Sequence, residues 1–369
     1  MPKTPSWNSI KYTRYTPCVQ GKKSAWSRTL KDILTASGKQ CVTMLTADGI
    51  TVLKQGSPCP KCGAGFLGRL LKRGDSSSPR WCYACSRCKQ RVNPAFGHPI
   101  FTDGHGSKMT PLQDQAGVLF CCVANTTQKQ AQQMTGVPER TVRRIYSRLH
   151  ALRAKHVVRQ ERKIRFGKLM PWNDVEADEV DLRRTELPAG TATPSRAVSW
   201  EQWGGVVERG APQTLVLTRL NPKLTSKRAP GPGPIRSGEW KDFANRRLRN
   251  ARVVLHTDGA KAYRRKIAGV CHDFVVHQKK KVNGVWVKPT FVKRARHTLP
   301  DKTTLWVKAG TQVIDRAWQF LRRHIHNHNG DAGSESLARM IRSAQWAYWH
   351  RDSDLWAATG RLISHDASR

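Results

Sequence analysis

Acidic residues are scarce in this chain. Its 369 residues include 65 lysines and arginines but only 26 aspartates and glutamates, for a formal net charge of +39. A surface of that sign collects polyanions. Nucleic acid fits better than a membrane surface, because the bases run along the whole length rather than lining one amphipathic helix. Long apolar runs are missing too. No stretch approaches the roughly 20 residues needed to cross a bilayer, and the N-terminus lacks the apolar core of a signal peptide. The expected compartment is the nucleus in a eukaryote, or the cytoplasm and nucleoid in a bacterium, with no membrane partner. There, ten cysteines are reduced thiols or metal ligands rather than a disulfide framework. What is present is enough for two or three domains, since 38% of residues are apolar and 13 are tryptophan.

Against this background, Asp174 to Asp181 reads Asp-Val-Glu-Ala-Asp-Glu-Val-Asp. Val175, Ala177, Val180 and Leu182 make it a short strand, with Glu176 and Asp178 on one face and Glu179 on the other. Two readings fit. The acids pair with bases such as Arg183 and Arg184, or they gather for a divalent cation, which relieves their repulsion.

Further back, Cys59-Pro-Lys-Cys62 and Cys85-Ser-Arg-Cys88 have the spacing of a four-thiolate zinc ribbon holding one structural Zn²⁺. Cys82 also pairs with Cys85 as CxxC; Cys85 and Cys88 are preferred for the strand-like Lys-Gln-Arg-Val that follows. Residues 111 to 155 read as three helices, the first opening at Pro111, the second capped by Thr126 or Thr127 and ending near Gly136. The third carries Arg140, Arg143, Arg144 and Arg148. This is either a helix-turn-helix whose arginines meet double-stranded DNA, or a helical hairpin with a solvated basic face.

Strands are expected at Trp203 to Glu208 and Gln213 to Arg219, joined by a tight turn, and an exposed Pro/Gly-rich loop at 221–238. The run Arg252 to Gly259 is a buried strand ending on Asp258, followed by a helical stretch through Ala262, Tyr263 and Ile267. A helix from Gln312 to His326 carries Asp315 in its first turn, with Arg322 on the same face. Acids on a strand, at a strand end and on a later helix, in the order β-β-β, β-α, α, match a ribonuclease-H-like α/β domain with a mixed five-stranded sheet. There, two Mg²⁺ or Mn²⁺ ions serve in-line phosphoryl displacement. The expected division is a basic arm at 1–56, a zinc ribbon at 57–105, a helix-turn-helix domain at 106–165, the catalytic domain at 166–350 and a tail at 351–369.

The order of these motifs, with Gly97-His-Pro-Ile-Phe101, Val175-Glu-Ala-Asp-Glu179, Trp203-Gly-Gly-Val-Val-Glu-Arg209, His256-Thr-Asp-Gly259 and Ile314-Asp-Arg-Ala-Trp318, resembles Merlin-type DDE transposases and their bacterial insertion-sequence relatives. The likeness spans about residues 57 to 350. It implies an enzyme that cuts element ends and joins them to target DNA, works as a homo-oligomer, and uses Asp178, Asp258 and Asp315 as its metal-binding triad. The chain departs from that family at the third acid, more often Glu or Asn, and at Arg322, where a Lys often stands.

Overall fold

In the computed structural model, the described residues are 25–73, 80–103, 110–167, 172–277, 280–282, 284–287, 289–326 and 330–367. In chain order the elements are α1 (Leu30–Thr35), α2 (Gly38–Ala47), β1 (Leu67–Arg73), β2 (Arg80–Cys85), β3 (Arg91–Val92), α3 (Leu112–Val123), α4 (Gln128–Thr135) and α5 (Glu139–Glu161). There follow β4 (Asn173–Glu186), β5 (Val198–Glu208), β6 (Ala211–Arg219), β7 (Lys223–Thr225), α6 (Ser237–Arg247), β8 (Val253–Asp258) and β9 (Val270–Val275). The last are β10 (Lys280–Val282), β11 (Val285–Val287), β12 (Lys293–Thr298), β13 (Thr304–Ala309), α7 (Gln312–Ile325), α8 (Glu335–Trp349) and α9 (Leu355–Ala367). Two compact units result, one of Val157–Trp349 and one of the described parts of Gly21–His156 with His350–Arg369. Among the described residues, no helix is long and apolar enough to cross a membrane.

In the second of these units, short helices start where a side chain can satisfy the free amides of a first turn. Thr29 and Asp32 form a capping box on α1, Ser37 and Gln40 on α2, Thr127 and Gln130 on α4. Gly136 ends α4 in the left-handed region at φ 67°, where a Cβ would be strained. The stretch expected to be a basic arm therefore becomes two packed helices from Leu30, with Ile33, Cys41 and Leu45 wholly buried; residues 1–24 of that arm lie outside the described residues. The expected tail is likewise helix α9. Its Trp356 donates to Asp48 at 2.9 Å, and Gly360 lies so close to the α2 end that a Cβ there would meet the Asp48 carbonyl. Pro111 stands at the cap of α3 rather than inside it.

The other unit is built on a mixed sheet of order β6-β5-β4-β8-β9, with the short β7 added beside β5. β4 pairs antiparallel with β5 and parallel with β8. β4 is 14 residues long, well beyond the short strand expected from its acids. Its odd residues Val175 and Ala177 join a core with α6, through Trp240, Phe243 and Leu248. The even residues Val180 and Leu182 join a second core with α7 and α8, through Ile314, Trp318, Leu321 and Ile341. Helices thus cover both faces, as in an α/β layer structure. Two further departures are small. The 221–238 loop contains β7 and the first turn of α6, and the helical stretch after Asp258 contracts to the 3₁₀ turn Lys261–Arg264.

Candidate metal centres

The β1–β2 hairpin brings the two Cys-x-x-Cys knuckles together. Cys59, Cys62, Cys85 and Cys88 hold their sulfurs within 4.8 Å of one another. Cys59 Sγ lies 3.8 Å from Cys88 Sγ, and Cys62 Sγ 3.7 Å from Cys85 Sγ. A tetrahedron of thiolates at the zinc–sulfur bond length of about 2.3 Å has edges of about 3.8 Å, so this set could hold a structural zinc ion. Gly65 leaves the room: a Cβ there would lie 2.5 Å from Cys85 Sγ. Amides of Ala64 and Gly65 donate to Cys62 and pull its thiol down to about 6. The Gln90 amide pulls Cys88 the same way, yet burial and the three neighbouring sulfurs push it up to about 11. Ionising one sulfur therefore opposes the next, a conflict that a dication removes. Cys82 lies outside the cluster, buried in β2 opposite Leu71.

The other centre is an acidic layer on the α7 side of the sheet. Even positions of β4 place Asp174, Glu176 and Asp178 there. The β4–β8 ladder runs from Asn173 opposite Val253 to Glu176 opposite His256, and its continuation brings Asp178 level with Asp258 at the C-terminal end of β8. Glu176 is wholly buried. Its Oε2 accepts from the amides of Val313 and Ile314 at 2.7 and 2.9 Å, which fixes the first turn of α7 against β4. Its Oε1 accepts from Arg209 Nε at 2.7 Å, while the same guanidinium donates to the carbonyls of Lys308 and Gly310 just before α7. Asp315, one residue past Ile314, is thereby set over the sheet.

Asp178 and Asp315 both feel neighbouring carboxylates. Burial first, then the charges of Glu179, Asp315 and Asp258, raise Asp178 well above the usual carboxylate range. Burial, Glu176 and Asp258 push Asp315 up to about 6. Trp318 of α7 donates its indole N–H to Asp178 Oδ2 at 3.0 Å. Among the described residues, the four thiols are the group gathered closely enough to hold an ion as they stand; the carboxylates share a neighbourhood without forming such a closed set. Glu179 points the other way, accepting from the Ile235 amide at 3.0 Å and from the Tyr263 hydroxyl. Arg183 donates to the Ile325 carbonyl at 3.3 Å and Arg184 to the Lys227 carbonyl at 2.9 Å.

Deeper in the same layer, His256 bridges Asp174 at 3.0 Å and Asp273 at 2.8 Å, and Asp273 reaches His297 of β12 at 2.8 Å. Burial alone would lower His256, but Asp273 and Asp174 outweigh it and leave the imidazole raised. Burial is likewise overcome at Asp273, which the two histidines hold far below the usual carboxylate range.

On α5, Arg140, Arg143 and Arg144 are exposed, Arg143 paired with Glu139 one turn back. Arg148 is partly covered and donates to the carbonyls of Ile100 and Phe101 at 3.2 and 2.6 Å. Arg322 is exposed on α7 and donates to the Asp181 carbonyl at 3.4 Å. Sequence reasoning did not assign roles to Arg209, Trp318, Tyr263 or His256. For Arg209 the one available signal was an arginine at a tight turn, straight after an apolar strand. Comparison of the chain with protein-family models, with curated proteins and with solved structures found no match.

Proposed function

We propose that this protein is a DNA transposase of the DDE type, with the acidic layer as its catalytic centre and a ribonuclease-H-like catalytic domain. The observation that supports the reading is that the charges of Asp258, at the end of β8, and Asp315, in the first turn of α7, both bear on Asp178 of β4, and that of Asp258 on Asp315. The donors fit hard divalent cations, since neighbouring, partly covered carboxylates offer oxygen ligands and gain from added positive charge. Two Mg²⁺ or Mn²⁺ ions bound there would activate the attacking oxygen and stabilise the leaving one. The chain's own residues do the placing: Glu176 and Arg209 fix α7, and Trp318 orients the Asp178 carboxylate.

The partner is double-stranded DNA, both element ends and target. A charge of +39 supports it through release of counterions from the phosphates. The α4–Gly136–α5 segment is read as a helix-turn-helix, with exposed Arg140, Arg143 and Arg144 facing the duplex. The thiol cluster is read as a ribbon with one structural Zn²⁺. The motif order of Merlin-type elements supports the assignment, and pairing of two ends calls for a homo-oligomer.

The test is a strand-transfer assay with Mg²⁺ and the element's terminal repeats. Joined products are expected, with Asp178→Asn abolishing joining but keeping end binding. Cleavage without joining would replace the reading by a metal-dependent nuclease, and a mobility shift alone by a DNA-binding protein.

A further inference from the structure

The β12–β13 ribbon leaves one face exposed except at its base, where Lys308 is buried. In its antiparallel register Arg294 stands opposite Lys308, Arg296 opposite Trp306 and Thr298 opposite Thr304. Paired residues share a face, so these six lie on one side. The alternate positions turn toward β9, where His297 meets Asp273 at 2.8 Å and Val307 is buried. On the outer side Trp306 remains 54% exposed. The Arg294 guanidinium lies 5.3 Å from the centre of the Trp306 ring, and Arg296 reaches Thr304 at 3.5 Å. Among the described residues, the six paired on this face include no carboxylate. The base of the ribbon is held by Arg209 on the Lys308 carbonyl, and β13 runs through Gly310 straight into α7 and Asp315.

An aromatic ring left in water beside two unneutralised guanidiniums is poorly explained by folding, because burial would have stabilised the ring. The combination matches an unpaired nucleic-acid strand: a base stacks on the indole while phosphates meet the arginines. A duplex offers its bases only as edges and gives a tryptophan face little to stack on.

We infer that the outer face of β12–β13 is a binding platform for single-stranded DNA, with Trp306 as the stacking surface and Arg294 and Arg296 as the phosphate contacts. The inference rests on the DNA-processing reading above and adds to it the state of the DNA beside the acids.

The experiment uses the full chain without Mg²⁺ and a fluorescent oligothymidylate of about 12 nucleotides, within the range of single-strand site sizes, beside a duplex of equal length. Trp306→Ala is expected to weaken single-strand binding roughly 5- to 100-fold, the worth of one stacked base, and to leave duplex binding within about twofold. Arg294→Gln with Arg296→Gln should shrink the log–log salt slope for the single strand by about 1.4, at about 0.7 per phosphate. Unchanged single-strand affinity in Trp306→Ala overturns the platform, as does an equal loss on both probes. A changed sedimentation coefficient with unchanged affinity overturns it in favour of a contact between copies. Binding is read without catalysis, so a failed strand-transfer assay and a failed platform are separate results.

Discussion

Trp318 and Asp178 are joined across the sheet–helix boundary by a 3.0 Å hydrogen bond from the indole nitrogen to the carboxylate. The contact needs a glycine. Gly205 is the β5 partner of Asp178, and a Cβ there would lie 2.3 Å from the Trp318 ring. The Trp-Gly-Gly sequence of β5 is thus the imprint of a tryptophan more than a hundred positions later.

Gly205→Ala should force the ring aside, at the ~1–3 kcal/mol typical of overpacking. Trp318→Phe should keep most of the packing and lose the hydrogen bond to the partly buried Asp178 carboxyl, about 0.5–1.5 kcal/mol. Urea unfolding separates the two. If Gly205→Ala unfolds at the wild-type midpoint, the close approach described for Gly205 is wrong.

Glu176 and Arg209 give a second prediction. Both are buried, and breaking a buried pair costs about 3–5 kcal/mol, with Asp174, 3.9 Å from Arg209, offsetting part of the loss when Glu176 is the residue removed. Glu176→Gln and Arg209→Met should each lose stability on that scale, and the pair should lose less than the sum of the two. Additive losses in the double-mutant cycle would show that the salt bridge is not what fixes α7.

Much of this arrangement was legible in the sequence because it is local. Alternation along β4 separates Glu176 and Asp178 from Glu179, and the structure gives the two sets different partners. The two Cys-x-x-Cys knuckles also announce themselves by spacing. Arg209 does not, since its carbonyl partners at 308 and 310 are fixed by tertiary packing alone. Helix α1 is not legible for another reason: it has only six residues and stands in a leader whose many bases resemble a solvated arm, while α9 follows a stretch expected to be a tail. Only the unit's core, through Ile33, Leu45 and Trp356, makes these helices hold.

His98 carries a pH prediction. Its ring is buried between three backbone groups, with Nε2 donating to the Ile50 carbonyl at 2.7 Å and Nδ1 accepting from the amides of Ile100 and Phe101 at 3.1 and 2.9 Å. Burial pulls its pKa down to about 4. The neutral ring is the folded form, so in the unfolded chain the group takes up a proton first. Its contribution to stability is full above about pH 6.5 and is lost as pH falls toward 4. Over that window the loss should reach about 3 kcal/mol. His98→Asn should flatten the stability curve between those values while lowering it at neutral pH. A wild-type slope in that variant would mean that another group carries the acid sensitivity.

The thiol cluster yields the last prediction through the one cysteine it excludes. Cys82 completes a Cys-x-x-Cys with Cys85, yet it sits in β2 opposite Leu71 while Cys88 closes the set. Elemental analysis of the purified chain should give one zinc, retained in Cys82→Ala and lost in Cys62→Ser and Cys88→Ser. Chelation should unfold the ribbon strands without touching the acidic layer, because a structural zinc contributes its binding free energy to the unit that forms around it. Zinc loss in Cys82→Ala together with retention in Cys88→Ser would reassign the fourth ligand. An absence of zinc from the wild-type chain would leave the 3.7 and 3.8 Å sulfur contacts as packing alone.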